Sequence, residues 1–287
     1  MKLSTLAAMM LVASAPLYAQ QNDEKVYNLP VSDPNSPVML ELDIRHGKIL
    51  VQGGTNENIE VIARTRPLDQ EELKNVKSHQ RRYQKDSHQT DKPARSREGL
   101  TPVRSASLNM EIEQQGNSIE ISSEESTYYV ELIVNVPQRT NVEADIYRGD
   151  GITVSDTIGY MELGSWKGDI VAERVQGPIV AETHQNAIVV SFASFSDSGP
   201  SSLTTHSGDI DITVDNSMAA NINVQNFQGE VLSGLDVPFE ATQQVKRNEG
   251  NDRQEIVIGG QLTAKLNGGG QDLTMITYSG DVYVRKP

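Results

Sequence analysis

The chain has 287 residues and a net charge of −14; 37% of it is hydrophobic, only 5% is aromatic, and it has no cysteine. The acidic balance argues against a nucleic-acid partner, because phosphate binding needs a positive footprint. The lack of cysteine excludes disulfides, thiolate zinc sites, cysteine nucleophiles and a lipid-modified cysteine. The length fits one domain, or one with a small neighbour.

Residues 1–19 read as a secretory signal peptide: Lys2, an apolar run from Leu6 to Val12, then small residues up to Ala19. The run is shorter than a spanning helix needs, and no other segment is apolar enough to cross a membrane. The expectation is an exported bacterial protein, in the periplasm or on the cell surface, with no transmembrane segment in the mature chain.

Residues 20–66 follow as N-terminal strands. Val38, Leu40, Leu42 and Ile44 alternate with Met39, Glu41 and Asp43. Such period-two alternation predicts strands with one buried and one wet face. Residues 67–107 break the pattern: nine Lys/Arg, six Asp/Glu and few apolar residues predict a charged, mobile insertion between strands. As function, it could be a basic arm for anionic envelope polymer; as structure, it is a solvated excursion.

Residues 108–287 form a β-repeat region continuous with the N-terminal strands, in one domain. Val130, Leu132, Val134 and Val136 alternate with polar neighbours, as do Ile210, Ile212 and Val214. A turn–glycine–strand unit recurs at His46, Arg148, Lys167, Gln176, Ser207, Gln228 and Ser279. Its anchors Gly149, Gly159, Gly168, Gly177 and Asn186 stand nine or ten residues apart. Units this short cannot bury their own apolar faces, so neighbours must stack. The predicted fold class is all-β: a stacked-rung, β-helix-like β-solenoid, with a two-sheet β-sandwich as the alternative. The last strand pair, Asp272–Ile276 and Asp281–Arg285, is expected to close the stack, with Lys286 and Pro287 blunting its edge.

The "G-D-I-x-V" corners, the leader and the ending LNGGGQDLTMITYSGDVYVRKP resemble the bacterial β-strand-repeat family called "putative adhesin", whose function is unknown. The resemblance covers most of residues 38–286. It implies an exported, solenoid-like fold and supplies no catalytic residues.

Aligning the corners on their glycine exposes a column two residues earlier: Arg45, Tyr147, Trp166, Val175, His184, His206, Phe227 and Tyr278. Tyr147, Trp166, His184, His206, Phe227 and Tyr278 form the candidate ligand-binding ladder. Acidic residues after the corner glycines, Asp150, Asp169, Asp209 and Asp281 with Glu230, are its candidate polar partners. Rings could stack on sugar faces while carboxylates accept hydroxyl hydrogen bonds. The structural alternative is that the rings pack on one another and the aspartates satisfy turn amides.

Other chemistry is thinly represented. Calcium would want several oxygen ligands in one place, and the carboxylates belong to different units. His184 and His206 make only half of a metal site, so no metal or cofactor is expected. Asp209 and Asp211 share a strand face and could serve glycan cleavage or simply be solvated. Nucleophile-elbow, zincin, P-loop and Rossmann patterns are absent. The expectation is therefore non-enzymatic: an adhesin-like binding or structural role toward envelope polysaccharide or another envelope protein. The alternatives are a polysaccharide lyase or hydrolase on a β-helix scaffold, and a periplasmic accessory of an envelope stress-sensing pathway.

Overall fold

The structure, a computed structural model, describes residues 23–70, 72–74, 109–124, 127–194, 199–215, 217–250 and 253–287. The leader expected at 1–19 and most of the 67–107 insertion lie outside the described residues. In chain order the strands are β1 (Asp23–Pro30), β2 (Val38–Gly54), β3 (Asn58–Pro67), β4 (Glu111–Gln115), β5 (Ser118–Ser123), β6 (Tyr128–Pro137) and β7 (Thr140–Ser155). Then come β8 (Met161–Lys167), β9 (Asp169–Gln176), β10 (Ile179–Gln185), β11 (Ile188–Ser194), β12 (Ser201–Ser207) and β13 (Ile210–Thr213). The last are β14 (Ala220–Asn226), β15 (Val231–Ser233), β16 (Glu240–Gly250), β17 (Arg253–Leu266), β18 (Gln271–Ser279) and β19 (Val282–Arg285). All belong to one large mixed sheet. The all-β expectation is met.

Two parallel ladders organise the sheet. The first runs β5, the first half of β2, the first half of β7, β8, β10, β12, β18 and β14. The second runs β6, the second half of β2, the second half of β7, β9, β11, β13, β19 and β15. Antiparallel strands border them: β4 on β5, β3 and then β1 on β6, β17 and then β16 on β14. These borders cover parallel edges that would otherwise template pairing with another chain.

Because the parallel pairs are in register, each inward position becomes a column of like residues. Ile152, Ile170, Ile188, Ile210 and Val282 form one; Leu42, Ala144, Leu163, Ala181, Leu203 and Met275 form another. All of them are buried in a single cluster. The β-branched side chains of the first column suit the pleated backbone. Each fully buried isoleucine contributes about 1.5–3 kcal/mol, but only where the next strand covers it.

One expectation is corrected here. β18 and β19 do not close the stack: β18 lies between β12 and β14, and β19 between β13 and β15. The chain first lays down β14 and β15, runs out through the β16–β17 hairpin, and then returns into the gap beside β12 and β13. Corner spacing along the sequence carries no information about such a return.

The ladders meet at corners where backbones touch. At Gly149 the φ is +137°, and a Cβ there would lie 1.8 Å from the Gly47 carbonyl oxygen. Asn186 takes the equivalent place with φ +94°, a conformation asparagine tolerates better than most residues. Inside the corners runs a column of buried hydroxyls. Ser165 donates to the Gly168 carbonyl at 2.9 Å, Thr205 to Asn186 at 3.2 Å and Thr277 to Gly208 at 3.0 Å. These bonds satisfy carbonyls that the turn removes from the ladder.

Substituting Gly149 by Ala should destabilise the fold by about 3 kcal/mol, through backbone strain plus the collision with Gly47. Gly116→Ala, where φ is +64° and nothing stands within 4 Å, should cost about 1 kcal/mol. Urea unfolding of both variants checks the ranking.

Candidate functional site

The ring column of the first ladder is continuous in space. Tyr147 and Trp166 stack at 6.4 Å between centroids, Trp166 and His184 at 4.1 Å, and His184 and His206 at 4.8 Å. Tyr278 follows His206 at 5.3 Å, tilted by 37°, and Phe227 stacks on Tyr278 at 4.8 Å. Tyr278 precedes Phe227 because β18 lies between β12 and β14. All six ring-bearing candidates therefore share one row. Arg45 stands one strand beyond Tyr147 and pairs with Glu124 at 3.0 Å. Val175 leaves the column: it is fully buried on β9, opposite Phe192.

The rings turn their faces to one another and their edges outward. None of the polar edge atoms (Tyr147 Oη, Trp166 Nε1, the imidazole nitrogens of His184 and His206, Tyr278 Oη) makes a hydrogen bond among the described residues. Tyr147, Trp166, Phe227 and Tyr278 are exposed. A bound polymer would meet ring edges and free donors rather than open π-faces. The arrangement also speaks against a two-histidine metal half-site: imidazole lone pairs lie in the ring plane, so two parallel stacked rings cannot aim at one ion. Among the described residues, no group of three or more His, Asp or Glu side chains is placed to hold a metal.

Beside the rings lies a groove of about 620 Å³. The rings of the row other than Phe227 wall one side; Asp43, Asp145, Gly164, Glu182 and Thr204 are among the residues that line the rest. These residues stand two positions before the ring column on β2, β7, β8, β10 and β12, and face one another in register. Gly164 opens a notch in this second column. A Cβ there would lie 1.9 Å from Asp145 Oδ1, so the Asp145 carboxylate occupies the space that a side chain would take. Burial and the neighbouring charges of Asp43 and Glu162 push the Asp145 carboxyl above its ordinary value. Asp43 is raised as well, by burial and by Glu124. The sequence alignment held this column too, but composition drew attention to rings and to the residues after the glycine.

Those later aspartates do not line the groove. They sit past the corner and bond the next backbone. Asp169 accepts from the Ala187 amide at 3.0 Å, Asp209 from the Asp281 amide at 2.8 Å, and Asp281 from the Glu230 amide at 2.8 Å. Asp150 accepts from the Tyr129 hydroxyl at 2.5 Å. Asp211, read as half of a carboxylate pair with Asp209, is held by Arg285 at 2.8 Å.

Tyr129 belongs to a second polar cluster that the sequence reading missed. The Arg66 guanidinium lies 4.1 Å from its ring centroid, and His46 meets it edge-on at 5.9 Å. Glu72 takes two hydrogen bonds from Arg66, which pull its carboxyl down to about 2. Burial lowers the His46 pKa and raises that of Tyr129. Glu72 and Asp69 cap each other through their backbone amides, and Leu68 is buried. The charges here are paired internally, and the cluster fastens the start of the 67–107 segment to the sheet.

No protein-family model matches the chain, and no curated protein matches it. Among solved structures it is similar to a "putative cell adhesion protein" from Clostridium sporogenes, at 11% identity and a TM-score of 0.42, over 93% of this chain and 100% of that one. A likeness of that size carries no argument about function. Among the described residues, no helix is long and apolar enough to cross a membrane.

The raised Asp145 carboxyl has a sign. The folded state holds its proton more tightly than the unfolded chain, so stability falls as pH rises from the ordinary aspartate value of 3.8 through the raised one. Asp145→Asn should be the more stable protein at pH 7, by up to about 0.5 kcal/mol after solvent screening. Below pH 3.8 the difference should vanish. Thermal unfolding across pH 3–7 tests this.

Proposed function

We propose that this chain is an exported, non-enzymatic protein of the bacterial envelope with an adhesin-like role, and that its groove binds an envelope polysaccharide. The fold we assign is a stacked-rung β-solenoid, in which β8 with β9, β10 with β11, and β12 with β13 are successive rungs carried by the two ladders. The observation that carries the functional reading is the 620 Å³ groove with one wall of unbonded ring edges and the other of carboxylates. A linear polymer lying in it would receive hydrogen bonds from Trp166, His184, His206 and the two tyrosines. It would give its hydroxyl protons to Asp43, Asp145 and Glu182. Nothing in this arrangement requires a cofactor.

A hydrolase reading draws on one observation, the raised Asp145 carboxyl beside the groove, since a protonated carboxylic acid is what glycoside cleavage needs as its general acid. Release of sugar fragments separates the two readings.

The full chain should co-sediment with purified envelope polysaccharide or peptidoglycan without generating new reducing ends. Trp166→Ala with His184→Ala should lose most of the pelleted fraction. Trp166→Phe, which keeps the stack but removes the indole N–H, should lose part of it while unfolding at an unchanged temperature. If neither polymer pellets the wild-type protein, the binding reading fails; if fragments appear, the hydrolase reading replaces it.

A further inference from the structure

The groove's charge is distributed unevenly along its length. On the β2, β7, β8 and β10 side, the outward positions are Glu41, Asp43, Glu143, Asp145, Glu162, Gly164, Val180 and Glu182. On the β12, β18 and β14 side, the matching positions are Ser202, Thr204, Thr274, Ile276, Asn223 and Gln225. One half is thus strongly anionic and the other neutral. The cation next to the anionic half, Arg45, is already paired with Glu124. Arg148 lies 5.2 Å from the Tyr147 ring centroid, and neither it nor Lys167 lines the groove.

We propose that the acidic half of the groove selects a glycan carrying free amino groups over neutral and anionic glycans, with an ammonium group seated between Glu182 and the Asp145 carboxylate that fills the space over Gly164. The inference rests on the reading of the groove as a polysaccharide-binding surface and narrows its ligand class.

Three observations support it. First, Asp145 and Glu182 belong to β7 and β10, with only the glycine of β8 between them. Their backbones stand about 10 Å apart at ~4.8 Å per strand, and the Asp145 carboxylate leans over Gly164, so a small cationic group can touch it and the Glu182 carboxylate together. Second, these carboxylates have no hydrogen-bond partner among the described residues, and Asp145 also faces the like charges of Asp43 and Glu162. A cation relieves that repulsion, whereas an anionic polymer adds to it. Third, the groove repeats once per strand, every ~4.8 Å, close to the length of one sugar in an extended chain. An extended peptide presents like-facing side chains every ~6.8 Å and drifts out of step within two or three strands. The periodicity therefore favours an amino-sugar polymer over a basic peptide.

The test is calorimetric titration of the full chain at pH 6 with four probes of equal length: a glucosamine oligomer, its N-acetylated counterpart, a galacturonate oligomer and a lysine oligomer. The glucosamine oligomer should bind on the order of tenfold tighter than the acetylated one, the equivalent of a few exposed ion pairs, and the preference should shrink as salt is raised. The galacturonate oligomer should not bind measurably. In the isosteric double variant Asp145→Asn with Glu182→Gln, the ratio between the first two probes should fall toward one. Equal binding of the amino and acetylated oligomers by the wild-type protein would overturn the selection for amines while leaving the groove as a glycan site. Lysine oligomer binding as tight as glucosamine, and unaffected by Trp166→Phe, would overturn it in favour of a plain polycation surface. Binding of none of the sugars would overturn both this inference and the reading on which it rests.

Discussion

Parallel strands paired without offset place every outward side chain beside its counterpart on the next strand, ~4.8 Å away. That constraint shapes the rest of the molecule. Inward, it turns scattered isoleucines into a continuous buried column. At the corners, it brings backbones so close that a methyl group cannot be inserted at Gly149 or Gly208. Outward, it forces rings onto rings and carboxylates beside carboxylates. Stacked rings are comfortable at this spacing, because their apolar faces leave water and an aromatic pair adds about 0.5–1.5 kcal/mol beyond its buried area. Neighbouring carboxylates are not comfortable: burial first, and then like charge (Glu124 on Asp43, Asp43 and Glu162 on Asp145), raises both carboxyls above their ordinary value. The groove is therefore made of one column that gains from the ladder and one that is strained by it.

The fold does not impose that strain. Most outward positions toward the far end of the first ladder carry Ser, Thr, Asn or Gln, so the fold does not require acids there. At the near end, Gly164 removes a side chain where an added Cβ would meet the Asp145 carboxylate. Contrast the aspartates past the corners, whose carboxylates accept backbone amides of the adjoining turn. Those are structural residues with their bonding capacity engaged, whereas Asp43, Asp145 and Glu182 have theirs turned toward the groove.

Much of this architecture is legible in the amino-acid sequence, because a repeat with a period near one strand exposes both alternation and corners. The ring column emerges from alignment on the corner glycines, and all six of its rings lie in one row. Three features were not legible. The order Tyr278 before Phe227 depends on β18 entering a gap left beside β12, a long-range pairing that local pattern does not encode. The fate of Val175 depends on the positive φ of Arg174 and the register shifts that β11 makes against β9, which carry this residue inward. The side of the corner on which the polar partners lie is the third: a turn separates Asp169 from Trp166, although only Lys167 and Gly168 stand between them. The nearer column in space, two residues before the rings, was present in the same alignment.

The ring row and its groove depend on the stacking order of the first ladder, and ring-proton nuclear Overhauser effects read that order directly. The structure predicts contacts from Tyr278 to both His206 and Phe227, from Trp166 to both Tyr147 and His184, and none between His206 and Phe227. A direct His206–Phe227 contact without Tyr278 between them would contradict the register from which the row and its groove are built.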